Sequence, residues 1–338
     1  MKITKILVAL SFLFATVAAN AGTLTVTGNM EATYQTEVDR TTGNPLGMDK
    51  ELKFAGSTEL DNGITVSVMQ DTSDALAFGN SQIAFGNVMG LATIYIGSDA
   101  DPMDGIDDIT PSAYEEANGS GSGSYTDVGV LASEMGIGLK IDVPYLGSLN
   151  AKYYPKADAT KNADNASSAD TNASVGSGYS AALTTNMANI PVVGGMLDGL
   201  TLTTGITEKE TSTVAKTKDA LELTAALNYA YGPVKLGYQK KFNDQGNTSA
   251  GAQQTIYHDD VIGIAYAVND SISISYNRYT SKKSTDGANE VEQETTAYNI
   301  GYTVGGMTIG FQDASTDNSG YVLSTKNDTR TIGLSVAF

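Results

Sequence analysis

The densest run of chemically active side chains lies between residues 99 and 135. It carries Asp99, Asp101, Asp104, Asp107, Asp108, Glu115, Glu116, Asp127 and Glu134, and no Lys or Arg. Carboxylates at this density attract cations and repel anions, most strongly where low-dielectric walls confine them. They also offer oxygen ligands to a hard cation such as calcium. The EF-hand spacing fails, because Met103 stands where that loop needs an acidic ligand. Calcium bound here would therefore be adventitious, and no cofactor is expected. On a soluble domain such a run is a solvated surface; what it does depends on the elements that hold it.

Other chemistries have few residues to work with. The chain has no Cys and a single histidine, His258, followed by Asp259 and Asp260. Thiolate chemistry is excluded, and nothing resembles a nucleophile aligned with a base, so no catalytic residue is expected. The alternation of Ile262, Ile264 and Tyr266 points His258 outward near a rim. The balance of 20 Lys+Arg against 38 Asp+Glu gives a net charge of −18, the opposite of a nucleic-acid footprint.

The first 21 residues read as a cleaved export signal. Lys2 and Lys5 precede an apolar run from Ile6 to Val17, and Ala19-Asn20-Ala21 supplies the small residues a signal peptidase reads. No later stretch reaches the 18 or so apolar residues of a membrane helix. Residues 22–338 alternate instead. Ile332, Leu334, Val336 and Phe338 are large and apolar while their neighbours are small or polar, and the same period recurs in Ile137-Leu139-Ile141-Val143, Leu221-Leu223-Ala225-Leu227-Tyr229 and Ile262-Ile264-Tyr266. Successive strand side chains point to opposite faces, so each segment has one apolar and one polar face.

The pattern predicts strands near 23–36, 50–61, 63–71, 80–87, 90–98, 136–144, 147–156 and 178–187. It continues with 199–210, 219–230, 233–242, 254–268, 271–281, 291–304, 306–315 and 328–338. These sixteen strands have sorted connections. Odd-to-even links are long and polar, the longest at 99–135. Even-to-odd links are tight turns such as Asn62-Gly63, Gly232-Pro233 and Gly305-Gly306, with Ala188–Asp198 the one longer, apolar exception. Sorting by length is the habit of an outer-membrane barrel, with short turns on one rim and long loops on the other. In lipid the sheet must also close, since no backbone group there finds water. The fold class is all-β, a 16-stranded antiparallel transmembrane β-barrel wide enough to leave an aqueous channel.

At this point the chain resembles the general porins of Gram-negative outer membranes, over essentially all of residues 22–338. Leu334-Ser335-Val336-Ala337-Phe338 is similar to the family's assembly signal, with aromatic Phe338 last. Thr23-Leu24-Thr25-Val26-Thr27-Gly28 resembles its first strand. The stretch Ile94-Tyr95-Ile96-Gly97-Ser98-Asp99-Ala100-Asp101-Pro102-Met103-Asp104-Gly105 resembles the start of the third loop, which in that family folds into the pore. Gly138–Pro144 and Leu149–Tyr154 resemble the strands that follow it. The family's arginine cluster has no counterpart, because the only arginines are Arg40, Arg278 and Arg330, and the subunit-latching second loop is short here, about 72–79.

The resemblance implies a passive diffusion channel for ions and small hydrophilic solutes, in contact with outer-membrane lipid and lipopolysaccharide and assembled as a homotrimer, with 99–135 as the constriction loop. Parity turns Lys53, Lys140, Lys152 and Lys235 inward, along with Glu31, Glu51, Glu59 and Glu222. A lipid-facing charge would cost roughly 2–4 kcal/mol at the midplane. These lysines are expected to oppose the acidic loop, whose carboxylates would make the pore prefer cations. Tyr34, Tyr95, Tyr153, Tyr179, Tyr229, Tyr266, Tyr276, Tyr298 and Tyr302 are expected in interfacial girdles. The alternatives are a substrate-specific channel, which for phosphate would want clustered Arg and Lys and for sugars lumenal aromatics, and a surface β adhesin.

Overall fold

The computed structural model describes residues 22–38, 43–72, 78–156, 176–191, 194–211, 218–247 and 251–338. The expected export signal, Arg40 and the Asn/Ala/Asp/Ser stretch near 158–175 lie outside the described residues. Sixteen strands form: β1 (Thr23–Glu37), β2 (Leu46–Glu59), β3 (Thr65–Thr72), β4 (Phe78–Val88), β5 (Ala92–Gly97), β6 (Gly136–Val143), β7 (Gly147–Tyr154) and β8 (Gly178–Asn186). They continue as β9 (Leu200–Lys209), β10 (Ala220–Tyr231), β11 (Val234–Asp244), β12 (Thr255–Ala267), β13 (Ile272–Thr285), β14 (Val291–Val304), β15 (Met307–Asp317) and β16 (Lys326–Ala337). Each pairs antiparallel with its sequence neighbours, and β16 pairs with β1, so the sheet is a closed barrel. At the seam Gly28 N donates to Phe338 O at 2.9 Å and Phe338 N to Gly28 O at 3.0 Å.

The two parities meet opposite surroundings. Leu24, Ile137, Leu227, Ile274, Ile300 and Ile332 are exposed on the outer face, whereas Gln239, Asn277, Gln293, Asn299 and Gln312 are almost completely buried inside. This inverts a soluble protein, in which exposed surface is rarely so continuously apolar. Hydrocarbon outside makes it favourable, and the inner amides are buried because they bond to one another and to a polar segment within. Among the described residues no helix is long and apolar enough to cross a membrane; the crossing is by strands.

Two strands outrun their expected bounds by four residues. β2 begins at Leu46 rather than near 50, and β13 runs to Thr285 rather than 281. On β13 the apolar side chains stop at Tyr276 while the ladder to β14 continues through Lys282↔Glu292 and Lys283↔Val291. Alternating hydrophobicity ends where hydrocarbon ends, but backbone pairing does not. The tight turns use residues that reach the left-handed region, with φ 55° at Gly232 and 61° at Gly305.

Candidate functional site

Segment 99–135 bonds to side chains on the inward parity of the wall. From β5 it first passes β7, where Lys152 Nζ donates to Asp99 O at 2.9 Å and the Tyr154 hydroxyl donates to Asp101. At β10 and β11, Gln239 Nε2 donates to Ile106 O at 2.8 Å and Asn228 Nδ2 to Ile109 O at 2.9 Å. Asn277 Nδ2 then donates to Pro111 O at 2.9 Å, Ser275 Oγ accepts from Ala113 N at 3.0 Å, and the Tyr114 hydroxyl reaches Glu31 Oε1 of β1 at 2.6 Å. On the return, Gln312 Nε2 donates to Glu115 O at 3.1 Å and Thr329 Oγ1 to Ser120 O at 3.0 Å. A segment that binds β7, β10, β13, β15, β16 and β1 through side chains turned away from lipid runs inside the cylinder.

The bed for this segment is made of glycine. Gly237 pairs with Gly263 across β11 and β12, while Gly301, Gly310 and Gly333 pair successively across β14, β15 and β16. A Cβ on Gly263 would come 2.6 Å from Pro111 O, and Cβ atoms on Gly301, Gly310 and Gly333 would collide with Ala113 or Tyr114. Only a wall without side chains lets residues 110–114 lie this close. Between the segment and β2–β4 lies a pocket of about 260 Å³, lined by Thr25, Lys53, Ala55, Ser67, Gln82 and Asp99 among others.

Fixed charge concentrates at one point on the segment. Lys241, fully buried, bonds Asp127 at 2.5 Å and Asp108 at 3.1 Å. Beside it Glu222 Oε2 accepts from Gly129 N at 2.8 Å and Val130 N at 3.0 Å, and Asn243 Nδ2 donates to Asp127 O at 2.6 Å. Oxygens of Asp107, Asp108 and Asp127 lie within 4.8 Å of one another, so in number they fit a hard cation. Lys241 already occupies two of the three.

Burial disfavours charge along the segment. It pushes Asp107 up to about 7, with Asp108 and Asp127 adding to the effect and Lys241 opposing it. Burial and then Glu116 and Glu31 push Glu115 up to about 7. Asp104, Glu116 and Asp127 are also raised, in each case first by burial.

A sequence model of Gram-negative porins matches residues 7–321. The chain belongs to the Gram-negative porin family. No curated protein matches it. Its barrel is similar to several solved ones. A trimer form of OmpT, an outer membrane protein of Vibrio cholerae folded in vitro, is 10% identical with a TM-score of 0.68, covering 94% of this chain and 100% of that one. An anion-selective porin from Comamonas acidovorans is 11% identical with a TM-score of 0.65 and the same coverage. A mutant of Rh. blastica porin is 17% identical with a TM-score of 0.57, again at 94% and 100%. The porin is thus an outer-membrane channel protein, and its family and fold point to a channel rather than an enzyme.

The wall lysines of this porin occupy two levels. Lys53 shares the open pocket with Asp99, and Lys152 is buried under the root of the segment. Lys140 and Lys235 are also on the inward parity, but lie close to the turns after β6 and before β11, at the short-turn rim. Glu31 holds the Tyr114 hydroxyl, and Glu51 pairs in register with inward Asn29. His258 faces outward beside Phe242, with ring centroids 5.2 Å apart.

One expected position is overturned. Tyr95 is not in an outer girdle; it is buried inside, its hydroxyl donating to Asn150 Oδ1 at 2.6 Å. Ile94 and Ile96 hold the outward parity of β5, so the residue between them turns inward. Sequence reasoning also missed Lys241, although the alternation that turns Lys235 inward applies equally to position 241. It missed the glycine bed as well, because glycine carries no sign of which face it serves.

Proposed function

We propose that this porin is a passive general-diffusion pore for ions and small hydrophilic solutes, preferring cations, with segment 99–135 as its constriction. The observation that carries the reading is the imbalance of charge on that segment. Nine carboxylates and no Lys or Arg lie along it, while Lys152 and Lys241, the wall cations it touches most closely, are buried beneath it. Buried cations hold the segment down and leave the excess negative charge facing the lumen. The permeation path runs between Asp99 and Asp104 on the segment and the Lys53 wall of β2–β4. A local field of this kind sorts ions by sign without a binding step.

The test is the reversal potential of single channels in a potassium chloride gradient. Neutralising Asp104 and Asp107 together should move it toward zero, and an unchanged potential rejects the segment's role. Homotrimeric assembly is part of the same reading, supported by the family and by the trimer form of the Vibrio cholerae relative. Calcium at Asp107, Asp108 and Asp127 remains adventitious in it, since Lys241 is already there.

A further inference from the structure

At the short-turn rim, the long connection from β8 to β9 forms one side of a cavity of about 600 Å³. That volume falls within the roughly 300–1,000 Å³ usual for small-molecule sites. Asp142, Ser148, Thr184 and Thr201 line it from four neighbouring strands, Tyr145 from the β6–β7 turn and Asn189 from the connection itself. The strand residues share the inward parity, since Asp142 pairs with Ser148, Ser148 with Thr184, and Thr201 with Asn186. The cavity therefore belongs to the lumen side of the wall.

Both turns around it are held in place. Thr185 Oγ1 donates to Leu146 O at 2.5 Å, which ties the β6–β7 turn to β8, and Asn186 Oδ1 accepts from Ala188 N at 3.0 Å where the long connection begins. A Cβ on Gly147 would collide with Thr184 O, so only glycine lets that turn lie so close. Tyr145 takes φ 67°, a left-handed conformation that Asn or Gly adopts at lower cost, and its side chain lines the cavity while staying 68% exposed. Farther along the wall the inward amides are occupied, as Asn277 and Gln312 hold the segment. Here they are not. Among the described residues the side chains of Asp142, Ser148, Asn189 and Thr201 make no hydrogen bond.

We propose that this cavity binds a small neutral sugar of one or two rings at the periplasmic mouth of the pore. Hydroxyls and amides both donate and accept, as a polyhydroxylated ligand does, and the Asp142 carboxylate accepts from two hydroxyls at once. The C–H face of a sugar ring packs on the Tyr145 ring, which offers an apolar surface beside a polar tip. Other ligand classes fit less well. An anion meets no Lys or Arg in the lining. A cation meets one carboxylate, with Lys140 two positions along the same inward face. An apolar molecule would leave the four free polar groups without partners. The site rests on the channel reading, because the lumen brings the sugar to it, and it adds retention to a pore that otherwise only sieves.

Saturation-transfer NMR on the full porin, in a detergent without a sugar headgroup, tests this with sucrose as the probe. Sucrose should take up saturation from the protein, and glucose 6-phosphate should not. Tyr145→Asn suits the left-handed backbone and so keeps the fold; it should weaken sucrose binding about tenfold. Ser148→Ala with Thr201→Val should do so independently, about tenfold for two lost hydrogen bonds. Thr303→Val, which removes a hydroxyl bonded to Thr308 at the same rim on β14, should leave binding unchanged. Heat-modifiable gel migration shows that each variant is folded, and single-channel conductance of the same preparations tests the channel reading by itself. A conducting porin whose variants bind sucrose as well as the parent overturns the proposal, as does equal binding of glucose 6-phosphate.

Discussion

Lys241 is a fully buried ammonium, held by two carboxylates of the segment and lying 4.9 Å from the centre of the Tyr279 ring. Its removal leaves the part-buried Asp108 and Asp127 without their counter-charge; breaking a fully buried pair costs on the order of 3–5 kcal/mol, and the solvent these carboxylates keep makes the cost here smaller. Lys241→Met is therefore expected to free the segment locally. Open-channel current noise should rise while the barrel still migrates as folded; a quiet channel identical to the parent would contradict the pinning. The raised carboxyls make a second prediction at this scale. Asp107 and Glu115, pushed up to about 7, are charged only above that pH. A raised carboxyl binds its proton more tightly in the fold, so lowering the pH from 8 to 5 neutralises both. Cation preference should fall across that window, and reversal potentials recorded at each pH should follow it.

At the scale of elements, the barrel positions its inner segment by omission. Gly301, Gly310 and Gly333 remove side chains where residues 113 and 114 pass. Gly310→Leu puts its side chain where the Tyr114 ring lies. Overpacking of this kind costs typically 1–3 kcal/mol, and here it can be relieved by moving the segment into the lumen. Conductance should drop with strand content unchanged by circular dichroism; full parental conductance would mean the bed is not a contact surface. This contact was invisible in the sequence. The alternation identifies a glycine as part of a strand, but it does not say that a segment 188 to 219 residues earlier in the chain rests on it.

For the molecule as a whole, closure is the decisive step. Every backbone group in hydrocarbon has to be paired, and the last pairs join the chain ends, Asn29↔Ala337 through Glu37↔Thr329, with the Phe338 backbone on Gly28. Deleting Phe338 removes two of those bonds and the ring over Gly28. The heat-resistant, folded fraction recovered after refolding should fall, while channels that do form keep the parental conductance because the lumen wall is untouched. A yield equal to the parent's would show that closure does not need the terminal residue.

The sequence by itself determined the strand number, the alternation of short and long connections, closure, and the face each side chain takes. Those properties follow from local geometry, since a period of two is built into each extended strand and hydrocarbon enforces it independently on all sixteen. Even the misplaced Tyr95 obeys the rule its neighbours Ile94 and Ile96 set. Only the tertiary structure decided where 99–135 runs, that Lys241 and Lys152 lie beneath it while Lys140 and Lys235 sit near the other rim, and that glycines clear its path. Those facts depend on residues 50 to 220 positions apart meeting inside a cylinder, where the free energy of each contact belongs to the pair and neither partner's local pattern carries it.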